Sequence, residues 1–531
     1  MAGRLAVDFG TSNTVLAVWD AARKEADTLI LPDLTRGQGQ GAEILALVPS
    51  LIHYSADSQH WVGHQVHRNN LYSSDRTFRW MKRYISSRTQ VPVMVDGRRI
   101  THHDAGRDFL AQVLGQAAAV LGVGDEEVAF TVPVEAFEYY EDWLARVAEE
   151  AGISRFRVVD EPSAAALGYG AHIQPGDVYL VFDFGGGTLD VAVVLVEAED
   201  PAVATGRRCR MLGKAGRDLG GATVDQWLFE EVLRRVGRRP DDPEVRLLGR
   251  ALLVECERAK ERLSQHERAD VTVVDPRTGR ALSAEFTRHE FEELLDRHDM
   301  FADLDRTLRR ALNDARERGY AEERIKAVLL VGGSSQIPAV QATLRRIFGR
   351  DRVMLDRPLD AVARGAAAFV SGVDFYDHIQ HDYAIRYVDL ETGGYRFEPV
   401  VRRGTPYPSH DALRTLRIKA TYEGQSRLGL ALFEMGERAG RGPTGGLEIV
   451  FDPGGAVRLA PVTPDQEENR SAFWINEHSP TFLEAEPPAR EGETRFEVAF
   501  AVDAQKRLLV TVRDLRRDRL THRDFPVVRL Q

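Results

Sequence analysis

The sequence predicts an α/β protein of two related lobes followed by a β-rich region. Three observations carry that expectation. A strand, glycine turn and strand at the N-terminus recur about 175 residues later, down to the same Asp-Phe-Gly, and such self-similarity signals a duplicated unit. Each copy is followed by alternating strand and helix signals, which imply sheets covered by helices. After about residue 372 the helix signals fade, and short β-rich runs alternate with turns.

The first copy, Leu5 to Trp19, is an apolar strand, a polar turn at Gly10-Thr11-Ser12-Asn13 and a second apolar strand, the pattern of a tight hairpin. The second copy runs from Val178 to Val194 around Gly185-Gly186-Gly187-Thr188. Between them, Pro162 follows Asp160-Glu161 and opens a short helix that loosens at Gly168 and Gly170, because proline is tolerated in a first turn and glycine ends one. Arg246 to Leu263 carries Leu247, Leu248, Ala251, Val254, Cys256, Ala259 and Leu263 roughly at helical spacing and predicts an amphipathic helix. The apolar run Ala327 to Val331 enters Gly332-Gly333-Ser334-Ser335, and Pro338 then opens a helix reaching Phe348. In the β-rich region, strands are expected at Leu413 to Ala420, Arg427 to Phe433, Phe496 to Val502 and Leu508 to Val512. The stretches Gly436 to Gly446 and Pro461 to Arg490 are rich in Gly, Pro and charge and are expected to be exposed loops.

Composition narrows the function. The 531 residues, with 43% hydrophobic and 28% charged, suit a soluble globular chain of several domains or two large ones. A net charge of −11 disfavours whole-surface nucleic-acid binding. Cys209 and Cys256 are the only cysteines, too few for a disulfide framework or a thiolate zinc site, which suits a reducing cytoplasm. The N-terminus lacks a signal-peptide core. The most apolar stretch, Val178 to Val196, is interrupted by Asp183, three glycines and Asp190, so no bilayer-spanning segment is expected.

Two glycine turns can grip one polyphosphate, because backbone N–H groups approach it with no Cβ in the way. Asp8, Asp183 and Asp190 place carboxylates beside those turns, suited to hydrated Mg²⁺ on a nucleotide. Gly332-Gly333-Ser334 offers a third close approach. A P-loop is excluded, since Gly213-Lys214 is followed by Ala215. Gly37-Gln38-Gly39-Gln40-Gly41 lacks the strand-to-helix context of a dinucleotide fingerprint and is expected to be a loop. His60, His64 and His67 fall at helical spacing, as a metal site would require, and His102-His103 is expected to be solvent-exposed.

Four motifs resemble the heat-shock-protein-70 chaperones, members of the actin-like, ribonuclease-H-like superfamily of two-lobed ATPases. They are Asp8-Phe9-Gly10-Thr11-Ser12-Asn13, Glu161-Pro162-Ser163-Ala164-Ala165-Ala166-Leu167, Asp183-Phe184-Gly185-Gly186-Gly187-Thr188-Leu189-Asp190, and Val331-Gly332-Gly333-Ser334-Ser335-Gln336-Ile337-Pro338. Weaker matches are Arg79 to Arg83, Thr131-Val132-Pro133, Gly220-Gly221, and Glu257 to Lys260 with Ser264 one turn on. The resemblance implies an actin-like ATPase domain at 1–372, a linker at 373–380 and a β-rich, sandwich-like substrate-binding domain at 381–531.

By the same resemblance ATP or ADP binds with Mg²⁺, and K⁺ is a further ion the family admits. Gly10, Thr11, Ser12 and Asn13 form the first phosphate loop, and Gly185, Gly186, Gly187 and Thr188 the second. Asp8 and Asp183 order the waters of Mg²⁺, Lys82 points at the γ-phosphate, and Glu161 and Asp190 orient water and metal. Glu257, Lys260 and Ser264, with Gly220, Gly221, Gly332, Gly333, Ser334 and Gln336, surround the adenosine. Extended or unfolded polypeptides are the implied clients, and a J-domain co-chaperone and a nucleotide-exchange factor are partners the family admits. No nucleic acid or membrane is implied. Alignment with the family also implies a strand-to-helix junction at Val62-Gly63, which splits His60 from His64 and His67 and argues against a metal site there.

The sequence also departs from that pattern. Glu138 to Asp142 supplies no cation where the family carries an arginine after the Pro133 switch, and Gln336 replaces an arginine that lies against adenine. Leu359 stands where an acidic residue is common, beside Asp360. The linker Val373 to Ile379 has no leucine run, and with the sequence ending at Gln531 the family's helical lid is not expected. A slow ATPase coupled to client binding is the leading expectation. The alternatives are a nucleotide-dependent regulatory or partner-binding module and, lower, a small-molecule kinase on the same fold.

Overall fold

Asp8 opposes Val15 and Phe9 opposes Thr14 across the first hairpin, Leu5–Phe9 with Asn13–Asp20. Asp183 opposes Asp190 and Phe184 opposes Leu189 across the second, Val178–Phe184 with Leu189–Glu197. These pairings come from a computed structural model. It describes residues 3–38, 45–56, 59–122, 127–134, 138–169, 176–197, 208–371, 375–376, 379, 381–388, 394–405, 407, 409, 411–435, 447–461, 472–477, 480–503 and 506–530. Most of the expected linker at 373–380, the Gly436 to Gly446 stretch and residues 462–471 lie outside these.

The duplication extends beyond the hairpins. In the first sheet, Leu5–Phe9 has Asn13–Asp20 on one side and the parallel strand Val128–Val132 on the other. In the second sheet, Val178–Phe184 has Leu189–Glu197 on one side and the parallel strand Ile325–Val331 on the other. All seven residues of Val178–Phe184 are buried, which explains its unbroken apolar run.

The short helix Glu161–Gly168 starts where Asp160 accepts a hydrogen bond from Ser163 N at 2.9 Å. It lies against Ala361–Val370 at backbone contact distance. A Cβ on Gly365 would fall 1.6 Å from the Ala164 carbonyl oxygen, and one on Gly168 would fall 1.8 Å from that of Ala361. Alanines of both helices share one core with Val15, Ala129, Val181 and Leu329 from the two sheets. The small side chains are therefore what lets the sheets be joined through this helix pair. Pro243–Gln265 and Pro338–Phe348 are helices, as the spacing predicts. His60 lies in the strand His60–Val62, whereas His64 and His67 lie in the helix His64–Arg68 beyond Gly63.

The chain divides into two compact units. One comprises Met1–Ala136, Trp143–Tyr376 and Gly440–Thr463, and the other Phe137–Asp142, Asp377–Ala439 and Pro464–Gln531. In the second unit, Asp382–Val388, Tyr395–Val401, Leu432–Met435 and Ala472–Trp474 form one antiparallel sheet. Arg414–Lys419, Thr494–Val502, Arg507–Asp514 and Arg519–Arg529 form another, and Gln425–Leu430 pairs with Thr481–Ala489. Inward residues such as Leu430, Leu483, Phe496 and Val510 make one core. The buried Arg495 guanidinium is neutralised by Asp514 Oδ2 at 2.8 Å and donates to the carbonyls of Glu486 and Pro487.

Four expectations need correction. Within Pro461 to Arg490, Thr481–Ala489 is a paired strand with Leu483, Ala485 and Ala489 buried, because its period-two alternation outweighs the adjacent prolines. The run Arg427 to Phe433 breaks at Ala431 into strands of different sheets. Gly37 sits in the strand Arg36–Gln38, while Gly39 to Gly41 lie outside the described residues. His102 is not exposed: it is 2% accessible and packs against Phe78 and Tyr84. No helix among the described residues is long and apolar enough to cross a membrane.

Candidate nucleotide site

The two glycine turns face each other at contact distance. A Cβ on Gly186 would lie 2.6 Å from Ser12 Oγ, and one on Gly187 would lie 2.4 Å from Thr11 Oγ1. Glycine is required there because the opposing turn occupies the space a side chain would need. Each turn is braced locally. Ser50 Oγ donates to the Gly10 carbonyl at 2.7 Å, and Gly185 N donates to that of Thr188 at 3.0 Å. The remaining walls reach back to the second turn, with Gly221 N and Ser334 Oγ both donating to the Gly185 carbonyl, at 3.0 and 2.8 Å. Gly332 has φ +80, and a Cβ there would strike the Phe184 carbonyl.

These turns open on a cavity of about 650 Å³. From the first half of the chain, Asp8, Gly10, Thr11, Ser12, Asn13, Lys82 and Glu161 line it. From the second hairpin onward come Asp183, Gly185, Gly186, Gly187, Thr188, Gly221, Glu257, Lys260, Ser264, Gly332, Gly333, Ser334 and Gln336. Asp190 and Gly220 are not among the lining residues. Asp190 accepts from Val134 N at 3.1 Å, and Gly220 packs against Gly186 as the cap of the helix Gly221–Arg235. Leu359 lines the cavity, whereas Asp360 is taken up by Arg357 and Arg364.

At the floor of the cavity Lys82 forms a buried ion pair with Glu161, and Thr131 Oγ1 donates to Asp8 Oδ1 at 2.8 Å. Burial raises the Asp8 carboxyl above its ordinary value, against the pull of Lys82. Asp183 is held well above the ordinary range, first by burial and then by Glu161, Asp190 and Asp8. Mutually repelling hard oxygens beside one lysine fit a divalent cation. Among the described residues no three His, Cys, Asp or Glu groups converge as a direct cage, an arrangement compatible with Mg²⁺, which keeps several of its waters.

On the opposite wall a charge chain runs from the Arg79–Glu257 ion pair to Lys260, which meets Asp225 Oδ1 at 2.8 Å and donates to the Gly221 carbonyl at 3.1 Å. Burial pushes Glu257 upward, but Arg79 and Lys260 outweigh it and hold the carboxyl below its ordinary value. Burial pushes Asp225 up to about 7 against Lys260. Sequence reasoning assigned no role to Arg79 or Asp225, nor to Arg36, His67, Tyr72, Arg258 and Glu261, which also line the cavity apart from Asp225. Arg79 stands in a recognised motif, which was the one available signal. The Asp225–Lys260 pair joins residues with no sequence pattern between them.

A two-lobed α/β unit with paired glycine turns around a carboxylate-rich cavity, followed by antiparallel β-sheets, is the arrangement of an Hsp70 protein. The Hsp70 protein family matches residues 86–434, and the chain belongs to that family. It is 27% identical to the chaperone protein DnaK of Deinococcus proteolyticus over 97% of this chain and 77% of the relative. It is 28% identical to the DnaK of Thermotoga petrophila and 27% identical to that of Thermosipho melanesiensis, each over 96% of this chain and 78% of the relative.

Proposed function

We propose that this chain is an ATP-binding and ATP-hydrolysing chaperone-like protein that couples its nucleotide state to the holding of unfolded or extended polypeptide. The observation that carries the reading is the contact of the two glycine turns over a cavity floored by Lys82, Glu161, Asp8 and Asp183. Residues 1–372 form the nucleotide-binding part, 373–380 the linker and 381–531 the client-binding part.

Gly10 to Asn13 and Gly185 to Thr188 bind the phosphates through backbone N–H groups. Asp8 and Asp183 hold Mg²⁺ through its waters, and the bound ion supplies charge neutralisation on the phosphates. Glu161 holds Lys82, which would donate to the terminal phosphate, and Glu161 and Asp190 would help orient water and metal. Thr188 closes the second turn. Glu257, Lys260, Ser264, Gly221, Gly332, Gly333, Ser334 and Gln336 surround the adenosine, and Gly220 caps the helix that carries Gly221. Catalysis rests on positioning and electrostatics, with no covalent intermediate. K⁺ beside the phosphates, a J-domain co-chaperone, a nucleotide-exchange factor and a cytoplasmic location complete the proposal. Clients add strand-like hydrogen bonds to the β-sheets, and the nucleotide acts through its differential affinity for two arrangements of the lobes.

The test is ATP turnover with Mg²⁺ for the wild type beside Asp183→Asn and Lys82→Ala, with and without an unfolded peptide. Slow hydrolysis, lowered at least about a hundredfold in both variants and stimulated by peptide, is expected. Turnover indifferent to peptide assigns the regulatory-module reading instead, and ADP formed only when a sugar or polyol is added, with the phosphoryl group on that acceptor and none released as free phosphate, assigns the kinase reading.

A further inference from the structure

One hairpin departs from the β-rich part of the sequence. Leu447–Phe451 and Val457–Pro461 pair as antiparallel strands and belong to the compact unit that contains the cavity. In chain order they fall between Leu432–Met435 and Ala472–Trp474, which pair directly with each other in the second unit.

The hairpin is gripped from both lobes. On the first, Tyr84 Oη donates to the Ile449 carbonyl at 2.7 Å, and Met94 N donates to that of Pro453 at 2.9 Å. On the second, Ile449 N donates to Gln226 Oε1 at 3.2 Å, and Arg250 donates to the Gly455 carbonyl. Phe451 enters between the lobes. Its ring meets Tyr84 and His102 at 6.1 and 5.7 Å, while the Arg250 guanidinium lies 4.4 Å from its centre. Arg250 also donates to the carbonyls of Ser74 and Thr77 at 2.8 Å each. Val457 fills the space left by Gly249, where a Cβ would stand 3.3 Å from Val457 Cβ. Ile449, Phe451 and Val457 are each no more than 2% exposed.

Three of the anchors, Tyr84, Arg250 and Gln226, stand on elements that also line the cavity. Tyr84 shares the helix Met81–Ser86 with Lys82, and Trp80, which lines the cavity, lies 6.5 Å from Phe451. Arg250 lies two turns before Glu257 on one face of Pro243–Gln265. Gln226 is in the helix that begins at Gly221.

We propose that the hairpin Leu447–Pro461 is a clasp in cis: it occupies a docking surface shared by the two lobes, restrains their separation and thereby sets the rate at which nucleotide leaves. The docking stands on the contacts alone, whereas the effect on exchange rests on the nucleotide reading.

The experiment uses the full chain with spin labels at Arg99→Cys and Val274→Cys, both exposed and on opposite lobes, since Cys209 and Cys256 are buried. Lobe distances and the release of a fluorescent ADP analogue with Mg²⁺ are measured for the wild type, Tyr84→Phe, Phe451→Ala and a chain with 447–461 replaced by a Gly/Ser linker. The clasp predicts a narrow distance distribution in the wild type that broadens and lengthens in the last two. It also predicts release faster by roughly tenfold, which requires about 1.4 kcal/mol of lost restraint, and a smaller change in Tyr84→Phe. Unchanged distances overturn the clasp. Broadened distances with unchanged release overturn its control of exchange. If the wild type binds no nucleotide while the distances still broaden, the nucleotide reading fails and the clasp stands.

Discussion

His102 is surrounded by the rings of Phe78, Tyr84 and Phe451, and burial, reinforced by Arg250 and His103, pushes its pKa down to about 3. The unfolded chain takes up a proton as the pH falls below about 6.5, whereas the folded chain refuses it until about 3. Stability from this group is therefore complete above the unfolded value and is lost as the pH falls between the two. Urea unfolding at pH 7 and pH 5 should show the wild type losing roughly 2 kcal/mol more than His102→Gln; equal losses would place the acid sensitivity elsewhere. Nothing in the sequence around His102 marks it as buried, because the ring that covers it, Phe451, is more than 300 residues away. Asp8 and Asp183 were legible for the opposite reason. Each stands beside its own glycine turn, so the motif is local. The Arg79–Glu257 and Asp225–Lys260 pairs join residues brought together only by the fold.

At the scale of elements, the crossing of Glu161–Gly168 with Ala361–Val370 tolerates no side-chain growth. Gly365→Ala places a carbon on the Ala164 carbonyl, and the helices must separate. Destabilisation of at least about 3 kcal/mol, at the upper end of overpacking costs, is expected in denaturant titration. Gly115→Ala is the contrast. It lies inside His102–Leu121 with nothing within 4 Å of the new carbon, and should stabilise the protein by up to about 1 kcal/mol. A loss at Gly115 like that at Gly365 would show that the close helix crossing is not what makes Gly365→Ala costly. The short helix was legible from Pro162 and its flanking residues, since caps are sequence-local. The hairpin Leu447–Pro461 was not, because its strands are short and its burial depends on two lobes that lie far away in sequence.

On the scale of the whole molecule, the two cores share no residue. Calorimetry should resolve two transitions, and ATP with Mg²⁺ should raise only the one that carries the glycine turns. A hundredfold excess over the dissociation constant corresponds to about 2.7 kcal/mol of added stability. A ligand that raised both transitions equally would mean that the units unfold as one.

The duplication, the α/β class, the paired glycine turns and the family were determined by the sequence itself, because a glycine turn beside an aspartate is written in consecutive residues and its repetition is visible without coordinates. Tertiary structure alone decided three things: that the turns close on each other over one cavity, that Arg79 pairs with Glu257 and Lys260 with Asp225, and that a hairpin from the β-rich region lies across both lobes. Each depends on the approach of distant segments. That approach is set by shape and burial summed over whole sheets and helices, and no short window of sequence contains that sum.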